Sequence, residues 1–181
     1  MGRGEGFYPV SPLDTGCLEG KCGGNMRYLL WATTVVLVLD QAIKWWVIQV
    51  LDLKTVFAID VLPPFLNLRM AWNRGINFGL FAGDDNGTRW TLIALALAIV
   101  VFVLWWIWRD RPGRLGMISA GILIGGAFGN VIDRVVYGAV ADFINMSCCG
   151  LTNPFAFNLA DIAIFVGAVG LVVFADGKKP A

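Results

Sequence analysis

Residues Trp90–Trp108 read WTLIALALAIVVFVLWWIW, nineteen positions without a charge. About 20 such residues cross the hydrocarbon core of a bilayer, so this stretch reads as a transmembrane helix. Three more runs approach the same length, about 28–50, 115–136 and 155–174. The whole chain agrees with them: hydrophobic residues make up 57% of its 181 positions and charged residues 15%, against roughly a quarter charged in soluble domains. Mean hydropathy is +0.69. The expected fold class is an all-α membrane protein of four transmembrane helices.

Lysine and arginine set the orientation. Arg3, Lys21 and Arg27 precede the first run, Arg109, Arg111 and Arg114 fill the link between the second and third, and Lys178 and Lys179 follow the fourth. The connection 137–154 has no basic residue, and the four in loop 51–89 are spread over 39 positions. Both termini and the 109–114 link are therefore expected in the cytoplasm, with the two longer loops outside. Trp45, Trp46 and Trp90 mark the outer interface, and Trp105, Trp106 and Trp108 the inner one. Pro63-Pro64 breaks any helix in the first loop, and residues 65–72 alternate in part, which predicts a small β-rich extracytoplasmic platform. Gly83 to Gly87 reads as a polar turn. The glycine-rich residues 1–25 are expected to form a disordered extension, 26–176 the transmembrane domain, and 177–181 a cytoplasmic tail.

Absences narrow the chemistry. The net charge is +1 with no basic stripe, which leaves nucleic-acid binding without support. No histidine is present, so Ser-His-Asp and Cys-His catalysis and His-ligated zinc are excluded. None of Ser11, Ser119 and Ser147 lies in a GxSxG turn, and Cys17, Cys22, Cys148 and Cys149 show no CxxC spacing. Hydrolysis, if the chain performs it, falls to carboxylates, lysine or a metal.

Ionisable residues within spans are functional by default. Asn130, Asp133, Arg134 and Tyr137 share one helical face by their i, i+3, i+4, i+7 spacing. Asp40 and Lys44 are four apart and can pair. Asn158 and Asp161 share a face of the fourth run, with Asp161 about six residues, or ~9 Å, into it. Asp142 lies shortly after the third run, and eighteen residues separate it from Asp161, enough to bring both to one outward site. Asp133 with Arg134 reads equally well as a structural pair, and Gly121, Gly125 and Gly129 as close packing. Asp142 and Asp161 have no adjacent cation.

These residues carry a resemblance to lipoprotein signal peptidase (signal peptidase II), a membrane aspartic peptidase family. Five blocks appear in family order: Asp40-Gln41-Ala42-Ile43-Lys44; Asn73-Arg74-Gly75-Ile76-Asn77-Phe78-Gly79; Gly125 to Arg134; Val140-Ala141-Asp142-Phe143; and Phe157-Asn158-Leu159-Ala160-Asp161. The resemblance implies a catalytic pair, Asp142 and Asp161, with supporting positions at Asp40, Lys44, Asn73, Gly75, Asn130, Asp133, Arg134 and Asn158. It implies a diacylglyceryl-modified prolipoprotein as substrate, cut just before its lipidated cysteine, at the outer face of the bacterial inner membrane. It implies no metal or organic cofactor, membrane lipid as surroundings and a monomer. Ile76-Asn77 depart from the small residues usual after the NxG step. A proton- or ion-coupled transporter is the alternative, but it places its site near the midplane of a repeated fold, and no repeat is visible here.

Overall fold

The computed structural model describes residues 21–63, 65–75, 86–147 and 153–174. Helix α1 (Lys21–Trp45) continues through a π-helical turn (Trp46–Val50) into a short helix α2 (Leu53–Val56). Strands β1 (Ala58–Leu62) and β2 (Leu66–Asn73) follow, then α3 (Asn86–Asp110), α4 (Arg114–Tyr137), β3 (Val140–Met146) and α5 (Leu159–Phe174). The described part is mostly helical, with one small sheet. Three helical stretches, Asn25–Val50, Asn86–Asp110 and Arg114–Tyr137, are long and apolar enough to cross a membrane.

Helix α4 is the central element, packed against α1, α3 and α5. Its glycines let backbones touch. A Cβ at Gly121 would lie 2.5 Å from the Leu29 carbonyl oxygen on α1, and one at Gly126 2.5 Å from that of Ala160 on α5. Gly167 makes the reverse contact from α5 onto Leu123 of α4. Small residues at such crossings replace a hydrophobic driving force that lipid does not supply. Outward, the helices present large apolar side chains, among them Trp31, Val101, Phe102, Phe165 and Val172.

The helix ends sort into two sets. Arg114 at the start of α4 lies over the Tyr28 ring of α1, and Gly116 approaches the Phe174 carbonyl at the end of α5. Arg109, in the last turn of α3, and Arg111, just after it, share that end. The other end carries the sheet, in the antiparallel order β1-β2-β3. Two of its strands come from the first loop, as expected. The third comes from beyond α4, with Asp142 opposite Ala71 and Val140 opposite Asn73.

Three expectations need correcting. Helix α1 already runs from Lys21, inside the stretch 1–25 expected to lie apart; residues 1–20 and the tail 177–181 lie outside the described residues. Of the turn expected at Gly83–Gly87, Asn86 and Gly87 are helical, as the opening of α3, and 83–85 lie outside the described residues. The fourth apolar run becomes helical only at Leu159, since Phe157 is extended and pairs with Ile144. Asp161 is therefore the third residue of α5, in its first turn, and not six residues deep.

Candidate active site

Asp142 reaches the site on β3 by a short path. Helix α4 ends at Gly138, whose φ of +78° is the left-handed conformation that glycine adopts without strain. Its N–H donates to the Arg134 carbonyl (3.1 Å), and the chain turns directly into the buried strand. Residues 71, 73, 140 and 142 share one face of the sheet by strand alternation. Asn73 of β2 thereby donates its Nδ2 to Asp142 Oδ2 at 3.0 Å. The Gly75 N–H fixes that amide by donating to Asn73 Oδ1 at 3.1 Å.

Asp161 arrives by a different device. Asn158 is the N-cap of α5: its Oδ1 accepts the Asp161 N–H (3.0 Å), and Asp161 Oδ2 accepts the Asn158 N–H (3.3 Å). This reciprocal arrangement is a capping box, in which two orphan amides of the helix start are satisfied together. The free end of the same amide, Asn158 Nδ2, donates to Asp142 Oδ1 at 2.6 Å. One residue therefore holds both carboxyl groups. Asn130 of α4 completes the frame, donating Nδ2 to Asp161 Oδ1 at 2.9 Å.

Beneath the pair lies an ion cluster. Lys44 Nζ is 2.8 Å from Asp40 Oδ2 and 2.8 Å from Asp133 Oδ2, all three side chains being buried. Gln41 donates to Asp40 and to Asp133, 3.2 Å in each case. Both carboxylates also grip backbone: Asp40 Oδ1 accepts the Ala160 N–H (3.0 Å), and Asp133 Oδ2, the oxygen that faces Lys44, accepts the Ala141 N–H (3.2 Å). Each of those alanines immediately precedes an aspartate of the pair. Lys44 also donates to Asn130 Oδ1 at 3.4 Å.

All ten sequence-derived positions, from Asp40 to Asp161, thus belong to one hydrogen-bonded assembly. Gly75 takes part through its backbone, its carbonyl accepting from Arg134 Nη2 at 3.3 Å. The suggested pairing of Asp133 with Arg134 is replaced by Asp133 with Lys44. Arg134 instead reaches Gly75 and its own helix at the Asn130 carbonyl. Adjacent helical residues point to different faces, and only Asp133 faces α1. Gln41 and Asn145 were not among the expected positions. Asn145 is 2% exposed and donates to the Asn153 and Phe155 carbonyls. Ile76-Asn77 and Cys148-Cys149 lie outside the described residues.

The electrostatics separate Asp142 from an ordinary carboxylate. Burial first, and then the charge of Asp161, push its carboxyl from the usual 3.8 up to about 7. Hydrogen bonds from Asn73 and Asn158 and the charge of Lys44 act in the opposite direction. A group ionising near neutrality, beside a second carboxyl, suits proton transfer at physiological pH.

Residues 32–175 match the family model described as signal peptidase (SPase) II. The lipoprotein signal peptidase of Methylorubrum extorquens (strain PA1) is 40% identical over 153 residues, 84% of this chain and 86% of that protein. That of Nitrobacter hamburgensis is 39% identical over 159 residues, covering 86% and 96%. Among solved structures, one described as a bacterial membrane enzyme at 2.3 Å superposes with a TM-score of 0.68 at 24% identity, over 84% of this chain and 93% of that one. That likeness bears on the fold. With four-fifths of its length matched by the family model and such relatives over nearly their full length, the chain belongs to the signal peptidase II family.

Proposed function

We propose that the chain is an aspartic endopeptidase of the bacterial inner membrane, with Asp142 and Asp161 as its catalytic pair. It removes the signal peptide from diacylglyceryl-modified prolipoproteins, cutting before the lipidated cysteine. The carrying observation is Asn158, which hydrogen-bonds Asp142 with its side chain and Asp161 with its backbone. Two carboxyl groups held so close in a buried setting share one proton. The ionised member draws a proton from a water between them, and that water attacks the scissile carbonyl. The protonated member gives its proton to the carbonyl oxygen as the tetrahedral diol forms; as the C–N bond breaks, the first member passes the proton it took from water to the leaving amine, and the second recovers its own from the diol. The pair titrates as a unit.

The supporting residues orient this step. Asn73, Asn130 and Asn158 supply fixed N–H donors, and the Lys44 cluster holds the backbone just before each aspartate. In this reading all four long helices cross the membrane, α5 with its 16 residues spanning ~24 Å. Both termini lie in the cytoplasm with the arginine-bearing ends, and the sheet and pair lie at the outer face. The enzyme works as a monomer, and the acyl chains of the substrate stay in lipid while its peptide reaches the pair. A transporter reading finds less support, because the polar cluster sits at helix ends beside a sheet and not at a midplane break.

The test is a gel-shift cleavage assay on purified protein in detergent, with lipidated and unlipidated prolipoprotein. Cleavage of the lipidated form alone, lost in Asp142→Asn and in Asp161→Asn, is the expected result. A folded wild type that cleaves neither form overturns the reading and turns attention to proton flux in liposomes.

A further inference from the structure

We propose that Asn145 is a positioning residue for the reaction, a side-chain clasp that sets where Asn158 meets Asp142 by holding residues 153–157 against β3. The inference rests on the catalytic pair proposed above. Asn145 stands three residues after Asp142 on the same strand, and its side chain is buried. Its Nδ2 donates to the carbonyls of Asn153 (2.8 Å) and Phe155 (2.7 Å). Its Oδ1 accepts from Ser147 Oγ at 3.3 Å, and Ser147 Oγ in turn accepts the Asn153 N–H at 3.1 Å. Asn153 Oδ1 accepts the Phe155 N–H at 3.0 Å. Two residues further, Phe157 exchanges backbone bonds with Ile144, 3.0 and 2.8 Å.

The carbonyls of residues 153, 155 and 157 therefore all face β3, with the period of two that defines a strand. The intervening Pro154 has no N–H to leave unpaired, as suits a sheet edge. Regular pairing is confined to the bridge Ile144↔Phe157, and the two N–H groups of one buried amide hold the rest. The next residue after this bridge is Asn158. The close packing of α5 on α4 fixes the body of the helix, whereas the approach of its cap to Asp142 depends on the segment leading into it. A displacement of about 1 Å there breaks the 2.6 Å bond from Asn158 to Asp142 and is of the size that costs an enzyme up to ~100-fold in rate.

The experiment compares wild type, Asn145→Leu and Ser147→Ala in detergent, reading kcat, KM, the pH profile and the melting temperature. Asp142 faces Asp161 and Asn158 from the α5 side, Asn73 from β2, Lys44 from α1 and Arg134 from α4. Neither substitution touches these groups. For Asn145→Leu, kcat falls about tenfold or more with KM held within about twofold. The alkaline limb of its pH profile moves upward, because Asp142 loses an N–H that favours its charged form. Ser147→Ala moves the same quantities the same way by less. A lowered melting temperature with kcat per folded molecule and the alkaline limb both unmoved overturns the proposal and leaves Asn145 a structural residue. If Asn145→Leu does not fold, an unmoved limb in Ser147→Ala overturns it equally. If the wild type does not cleave, the peptidase reading fails by itself. The clasp is then read from the pH dependence of the melting temperature, whose upper edge moves upward in the variants if the clasp acts on Asp142 and stays in place if it does not.

Discussion

Asp142 and Asp161 come to one place by unlike physical means. The first is buried in a strand and held by side-chain amides; the second begins a helix and is held by the N–H of that helix's cap together with the Asn130 side chain. Replacing either by asparagine keeps the shape and removes the shared proton. Each single variant is expected to lose at least ~1000-fold in kcat, comparable to the loss of a catalytic-triad member, while inserting normally; single-turnover cleavage measures it. With Asp142 ionising at about 7, kcat/KM of the wild type declines as pH rises above neutrality, because the pair then loses its one proton. Stability follows the same group. The unfolded carboxyl ionises near 3.8, so between 3.8 and about 7 the folded state binds more protons. Stability therefore falls as pH rises through that window and levels off beyond it. Melting curves from pH 4 to 8 check this, and Asp142→Asn is expected to flatten the dependence.

Among the elements, helix α3 was legible from its charge-free stretch Trp90–Trp108, because among the described residues it packs chiefly on α4 and otherwise turns large apolar side chains outward. The start of α5 was not legible. Phe155-Ala156-Phe157 is as apolar as any helical turn, and hydropathy carries no information on whether such residues coil or extend. The free edge of β3 decides it, through the bridge from Ile144 to Phe157. Strand β3 was hidden for a similar reason, since its partner β2 lies some seventy residues upstream, Asp142 facing Ala71. The small-residue pattern on α4 was read correctly as packing. Close packing extends to Gly126, outside that pattern, where an alanine Cβ would lie 2.5 Å from the Ala160 carbonyl oxygen. Gly126→Ala is expected to cost about 1–3 kcal/mol by overpacking, and to lower activity as α5 shifts, read by melting and cleavage on one preparation.

At the scale of the whole molecule, a single ammonium joins three helices and a strand. Lys44 on α1 holds Asp133 of α4 and Asp40 of its own helix; Asp133 reaches Ala141 on β3 through the oxygen that Lys44 holds, and Asp40 reaches Ala160 on α5 through its other oxygen. The family resemblance put Asp40, Lys44 and Asp133 among the supporting positions, but the sequence suggested Arg134 as a partner for Asp133, since adjacency along the chain says nothing about which helix a side chain faces. Lys44→Met leaves two buried carboxylates without a counter-ion, and breaking a buried pair in this way costs about 3–5 kcal/mol. Thermal unfolding in detergent should register that loss, and Lys44→Met with Asp133→Asn should recover part of it by removing one of the two stranded charges.

The capping box at Asn158 and Asp161 makes the first turn of α5 and one carboxylate of the proposed catalytic pair the same set of atoms. Anything that recruits Asp161 Oδ2 during turnover takes an acceptor from the amide of Asn158, so the helix end must loosen by one bond each time the chemistry advances. Occupancy of the site then becomes audible in the backbone. Amide hydrogen exchange at Asn158 should quicken when a ligand engages Asp161, while exchange deeper in α5, at Ala168 or Leu171, keeps its resting rate.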